Sequence, residues 1–371
     1  MARTKLALIA CSLLATSQPV LAGDHPSARS NGKRILAHDI ADTVNTAANW
    51  DRLHSVLISQ GGDIVYESYF NGHGPDELEN VKSVSKSVLS ALVGIAIDRG
   101  EISSVDATLD DYFHDELARS ADSTVSQITV ENLLTMQAGL KPTSSSNYGA
   151  WVASNNWITA VLDAPLEATP GREMLYSTGN THLLSAILTR ATGKTTLQFA
   201  RDTLSEPLGF ELASWPRDPQ GVYFGGNDME FTPRQLLALG ELYLNEGRAD
   251  GVQVIPERWI KASLAPHARS PQGDARYYGY GWWVCELAGY TVPHAWGHGG
   301  QFIMLVPELD LVIVSTSSPH PGPDAQVHAN KVYGLLQQII HVAGNHAQPQ
   351  LYYAANQSET NAVEQRQSSL Y

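Results

Sequence analysis

Ser83 and Lys86 stand three residues apart in "SVSKS", at the head of the apolar run "VLSALVGIAI". That spacing puts both side chains on one face of a helix, one turn apart. A serine hydroxyl becomes a nucleophile only when a neighbouring base takes its proton. Lysine serves as that base when burial lowers its pKa from about 10.4 towards roughly 7–8. The run that follows supplies the burial. About one S-x-x-K arises by chance in a chain of this composition, and Ser30 with Lys33 repeats the spacing, but in a polar segment with no helix after it to desolvate the amine. The bland alternative for Ser83 is a helix cap beside a snorkelling lysine. Ser85 and Ser87 have no lysine three residues on and read as helix-surface or packing residues.

An acyl-transfer serine also needs a proton shuttle and two donors for the oxyanion. Tyr176, in "TPGREMLYSTGNTHLLSAILTRATG", follows a Pro-Gly turn just before a helix and could relay protons beside Lys86; otherwise it is an ordinary buried tyrosine. In "AWGHGGQFIMLVPELDLVIVSTS", His298, Gly299 and Gly300 precede an apolar strand. Glycines there would bare the strand edge, so the Gln301 N–H is expected to join the Ser83 N–H around an oxyanion. The competing interpretation of the glycines is a bulge or tight turn.

These residues, in this order, resemble the serine β-lactamase and penicillin-binding-protein superfamily, in the class C-like branch with family VIII carboxylesterases and 6-aminohexanoate-dimer hydrolases. The likeness runs from about His54 to Gly344. It rests on "SVSKS", "PGREMLYST", "GHGGQ" in place of a K-T-G motif, and "ITVENLLTMQAGL". The resemblance implies a β-lactamase-like α/β (α+β) fold and catalytic roles for Ser83, Lys86 and Tyr176. It also implies a pocket opening between two domains; Tyr148 and Trp151 either line it or are loop aromatics that pack locally.

Two departures bear on substrate. The Tyr-x-Asn of class C lactamases reads Tyr176-Ser177-Thr178, with Asn180 off register, and His298 stands where the third motif has lysine. Both argue against an efficient β-lactamase and fit an esterase or amidase. Ser145-Ser146-Asn147 resembles the S-x-N of other branches and ranks below Tyr176 as the second motif.

Elements must hold these groups in place. "HSVLIS" and "DIVYESYF" alternate as a hairpin turned at Gln60-Gly61-Gly62. Residues 106–226 are mostly helical with long loops. "YYGYGWWVCEL", "HAWGHGGQFIMLVP" and "LDLVIVST" read as strands before a last helix, "VHANKVYGLLQQIIHVAG". The economical architecture is an antiparallel sheet flanked by helices, built from residues 35–105 and 227–345, with residues 106–226 inserted as a mostly helical domain. Residues 346–371 are polar enough for a disordered tail.

With 371 residues, 43% hydrophobic, the chain can bury a large core. Its 38 acidic against 24 basic residues give a net charge of -14, which leaves nucleic-acid binding without electrostatic footing. The partner expected is a small ester or amide; oligomeric state is not readable.

Residues 1–22 have the basic start, apolar stretch and Val20-Leu21-Ala22 exit of a signal peptide, so export to the periplasm or medium is expected, with no membrane span left after cleavage. "LIAC", ending at Cys11, resembles a lipobox, but only about five residues separate Lys5 from the cysteine, fewer than such a region needs. The mature chain would keep Cys285 alone and form no internal disulfide. Neither an H-E-x-x-H run nor a Gly-rich phosphate loop is present, so no metal and no cofactor are expected.

The function expected is therefore an exported serine hydrolase acting on an ester or amide through an acyl-enzyme on Ser83. The alternatives are a class C-like β-lactamase or D,D-peptidase, and an inactive binding relative.

Overall fold

The computed structural model describes residue 35 and residues 37–118, 122–271 and 276–345; residues 1–22, read above as a signal peptide, and 346–371, read as a tail, lie outside them. Helix α1 (Ala37–Asn45) leads into the hairpin of β1 (Leu53–Gln60) and β2 (Asp63–Tyr69). Gly61 and Gly62 turn it with φ of +63° and +85°, the left-handed pair that matches the twist of antiparallel strands. The two-residue strand β3 (Glu79–Asn80) and a 3₁₀ turn (Lys82–Val84) then open α2 (Ser85–Asp98).

A helical stretch follows: α3 (Asp110–Leu117), α4 (Val130–Leu134), α5 (Tyr148–Val152), α6 (Trp157–Leu162), α7 (Thr178–Thr192) and α8 (Thr196–Ala200). The chain returns through β4 (Glu230–Phe231), which pairs with β3, then α9 (Pro233–Leu244), the small hairpin β5 (Arg248–Ala249) and β6 (Val252–Gln253), and α10 (Glu257–Leu264). It finishes with β7 (Ala268–Arg269), β8 (Arg276–Tyr278), β9 (Trp283–Leu287), β10 (Tyr290–Gly297), β11 (Gln301–Val306), β12 (Leu311–Ser317) and α11 (Ala325–Asn345).

Eight strands form one antiparallel sheet in the order β2-β1-β12-β11-β10-β9-β8-β7. Strands β11 and β12 are buried along their whole length, because helices cover both faces. One face packs α1 and α11 through Ile40, Val44, Phe302, Ile313, Leu336 and Ile339. The other packs α2, α9 and the helical stretch in a continuous core that includes Val88, Leu92, Ile303, Val314, Leu236 and Leu183. Helix α2 is apolar all round and buried from Ser85 to Ala96, the pattern of a helix inside a protein rather than on it.

Two stretches that read as single strands are broken by glycines. "YYGYGWWVCEL" divides into β8 and β9 because Gly281, at φ +77°, turns the chain against α2, accepting a hydrogen bond from Ser87 Oγ at 2.6 Å. "HAWGHGGQFIMLVP" divides into β10 and β11 at a His298-Gly299-Gly300 turn, with φ of +86° and +104° at the two glycines. Among the described residues no helix is long and apolar enough to cross a membrane.

Candidate active site

Ser83 lies in the 3₁₀ turn that starts α2, where N–H groups are not consumed by intrahelical bonds. The turn is held from several sides. Val81 N donates to Met229 O at 3.0 Å, Ser85 Oγ donates to Lys82 O at 2.6 Å, and Met229 N donates to Ser85 Oγ at 3.2 Å. Lys82, just before Ser83, takes φ +49°, a left-handed conformation that strains a non-glycine residue by about 1–3 kcal/mol. Its ammonium is fixed by Asp228 at 2.8 Å, and its N–H donates to Asn80 Oδ1 at 3.1 Å. Ser85 and Ser87 are thus buried packing residues, each spent on a main-chain carbonyl.

One turn later Lys86 is buried, with 1% of its surface exposed. Its Nζ lies 3.0 Å from Ser83 Oγ, 3.4 Å from Thr178 Oγ1 and 2.6 Å from Gly226 O. Burial drives its pKa down to about 7, opposed by the Asp228 carboxylate. Keeping that lysine charged would destabilise the fold by roughly 5 kcal/mol, so close to half the molecules hold a free amine beside the serine at neutral pH.

Tyr176 faces the pair from the residue before the extended N-cap, Ser177, of α7, with Lys86 Nζ 5.1 Å from its ring centroid. The ring stacks on Trp283 at 5.7 Å and meets Tyr278 edge-on at 6.0 Å. Burial raises the phenol to about 12, partly offset by a hydrogen bond with the Ser83 side chain. At neutral pH the Tyr176 phenol therefore keeps its proton, and Lys86 is the group of the pair that can accept one.

The third motif needs correction at Gln301. That residue is fully buried in β11, between β10 and β12, and its side-chain amide bridges Ser317, donating to Ser317 O and accepting from Ser317 N at 3.0 Å. A group with no exposed surface cannot offer its N–H to a substrate; Gln301 holds strand ends together. The open edge belongs to β10. Strand β9 pairs with β10 only as far as His294, so Ala295, Trp296 and Gly297 run on without a neighbour on that side. A Cβ on Gly297 would sit 2.3 Å from Val81 O, so the glycine is what lets β10 reach the Ser83 turn. The exposed residue just beyond is His298.

The His298 imidazole is held below its usual pKa by partial burial and by the Lys82 and Arg52 cations. It is neutral at neutral pH and does not supply a standing positive charge for a substrate carboxylate. Gly299 and Gly300 are turn residues, tucked against Ser318 O and Ser317 Oγ.

Tyr148 and Trp151 part company. The Tyr148 hydroxyl accepts from Asn227 Nδ2 at 3.1 Å, one residue from the carbonyl that holds Lys86. Trp151, 4% exposed, packs into the core with Trp157, Phe224 and His182, and its indole donates to Trp157 O at 3.1 Å.

Sequence reading missed Thr178, Ser144 and Gly226. Thr178 Oγ1 lies 3.0 Å from Ser144 Oγ, and Thr178 N donates to Ser144 Oγ at 2.9 Å, so a hydroxyl pair occupies the space beside Lys86 that the missing asparagine would fill. The signal for Thr178 was its place two residues after Tyr176; a carbonyl such as Gly226 O leaves none. Asn147, of the competing S-x-N, donates to Pro142 O at 2.8 Å within its own loop.

A family model described as Beta-lactamase matches residues 54–336. The chain is 28% identical over 307 residues to the 6-aminohexanoate-dimer hydrolase of Paenarthrobacter ureafaciens, covering 76% of each. Among solved structures it is similar to EstCE1, a hydrolase with promiscuous acyltransferase activity, with TM-score 0.68, 17% identity and coverage of 82% of this chain and 99% of that one. It is likewise similar to a D-stereospecific amidohydrolase from Streptomyces, with TM-score 0.61, 16% identity and coverage of 79% and 98%.

Proposed function

The chain belongs to the Beta-lactamase family, a hydrolase family, and from that premise we propose that it cleaves a small ester or amide through an acyl-enzyme on Ser83. The observation that carries this reading is the buried Lys86 amine, 3.0 Å from Ser83 Oγ and poised near pH 7. The free amine takes the Ser83 proton as Oγ attacks the substrate carbonyl, and the carbonyl oxygen becomes an oxyanion held by the N–H of Ser83 and the N–H of His298. Collapse expels the alcohol or amine, protonated from Tyr176, whose phenol regains its proton from the Lys86 ammonium. Water, deprotonated by the same amine, then releases the acid and restores Ser83.

Ester or amide is favoured over β-lactam by two features: Thr178 in place of a side-chain amide, and a neutral His298 where a fixed cation would hold the carboxylate. The hydrolase activities in the names of the Paenarthrobacter 6-aminohexanoate-dimer hydrolase and of EstCE1 support a hydrolase reading. Export, through the leader-like residues 1–22, belongs to the proposal. Short-chain esters, aminohexanoate oligomers, D-peptides and a chromogenic cephalosporin, assayed side by side with Ser83→Ala as control, test it. Turnover of esters or linear amides that vanishes in Ser83→Ala is the expected result. Turnover of the cephalosporin alone, or turnover that survives the substitution, refutes it.

A further inference from the structure

Away from Ser83, three ligand-type side chains from separate segments converge: His54 at the start of β1, His73 in the loop after β2, and Glu79 in β3. His54 Nδ1 lies 3.0 Å and 2.9 Å from the two oxygens of Glu79, and His73 Nδ1 lies 3.0 Å from Glu79 Oε1. One donor atom from each residue falls within 4.8 Å of the others. The imidazoles are stacked, with centroids 3.5 Å apart and planes 14° from parallel, so both turn Nδ1 to one carboxylate. A fourth side chain adds an oxygen: Glu77 Oε2 lies 3.0 Å from His73 Nδ1.

Protein atoms alone leave this cluster poorly balanced. Glu79 is only 4% exposed, and among the described residues its ion pairs are with imidazoles, never with Lys or Arg. His73 Nδ1 is buried and close to two carboxylates, yet is directed to hydrogen-bond with neither. A buried polar atom without a partner is costly.

We propose that His54, His73 and Glu79 form a binding site for a divalent cation of the zinc class, with Glu77 or water as the fourth ligand. Two imidazole nitrogens and a carboxylate are the donor set such borderline ions take, whereas calcium and magnesium favour all-oxygen sites. A dication balances Glu79, and it gives the unpartnered His73 Nδ1 a partner. Bonds of about 2.0–2.2 Å would set the donors about 3.4 Å apart, so the two imidazole–carboxylate separations, 2.9–3.0 Å, need to open by only a few tenths of an ångström. The ion would tie β1, the loop after β2 and β3 together, with Glu79 four residues before Ser83. It touches none of the reacting groups, and its role is to brace the segment that carries them. Contiguous motifs could not show the site, since His54 and His73 are nineteen positions apart and meet only through the β1–β2 hairpin.

Calorimetric titration of the chelator-treated full chain with zinc chloride, paired with thermal unfolding, tests this. One saturable equivalent of sub-micromolar affinity is expected, with Tm raised by about 4 °C at a hundredfold excess over Kd. His54→Ala/His73→Ala should lose both signals, while His114→Ala, at an exposed site, keeps them. His73→Ala alone, on a loop at the surface, serves if the double variant does not fold. Absence of a saturable equivalent, or an equivalent that persists in the folded His73→Ala protein, overturns the proposal.

Discussion

At Lys86 the fold and the proposed chemistry make the same demand: packing excludes the charge, and the reaction needs the neutral amine that exclusion produces. The pH dependence follows. With Lys86 titrating near 7 and Tyr176 near 12, kcat/KM should rise with pH through about 7 and level off on the alkaline side; a profile flat from about pH 5 to 9 would remove Lys86 as the base. Tyr176→Phe keeps the ring stacked on Trp283 and removes only the proton donor. A fall in kcat of about 10²- to 10⁴-fold with little change in KM is expected in steady-state kinetics. Ser83, Lys86 and Tyr176 were all legible in the sequence, because each depends on local spacing or a local turn. Gln301 was misplaced because a glycine-rich strand start does not say which strand lies at the open edge; that is decided by β9 ending its pairing at His294, a property of the sheet.

Among the elements, the meeting of β10 with the turn before α2 is the critical junction. A Cβ at position 297 would stand 2.3 Å from Val81 O, main chain against main chain, so neither side can rotate away. Gly297→Ala should therefore lower stability by about 1–3 kcal/mol in denaturant unfolding and reduce kcat by more than the stability loss explains, since the shift passes directly to Ser83. The hairpin β1–β2, the apolar α2 and the final helix followed from periodicity and glycine placement. The divisions at Gly281 and at His298-Gly299-Gly300 did not, because aromatic residues on both sides kept the β-like pattern running while the turns answer to tertiary contacts with α2 and β12.

For the whole molecule, a buried lysine is a standing charge on stability. Its unfolded pKa is near 10.5 and its folded value about 7. The penalty is therefore fully present below pH 7, shrinks as pH rises from about 7 to 10.5, and is gone above. Lys86→Met, inactive, should melt several degrees above the parent at about pH 6, and the difference should narrow by about pH 9. A constant difference would mean that burial does not lower the Lys86 pKa. The sheet with its inserted helical stretch was foreseeable from strands at both ends of a helical middle, whereas the His54, His73 and Glu79 cluster was invisible until the hairpin and β3 were in place.

The account rests on Ser83 being the group that Lys86 activates. Reaction of the folded protein with a fluorophosphonate, followed by peptide mapping, reads this out directly. Stoichiometric label on Ser83, forming faster as pH rises through about 7 and absent from Ser83→Ala and Lys86→Met, is the result expected. Label on another residue, or folded protein that stays unlabelled at alkaline pH, would contradict it.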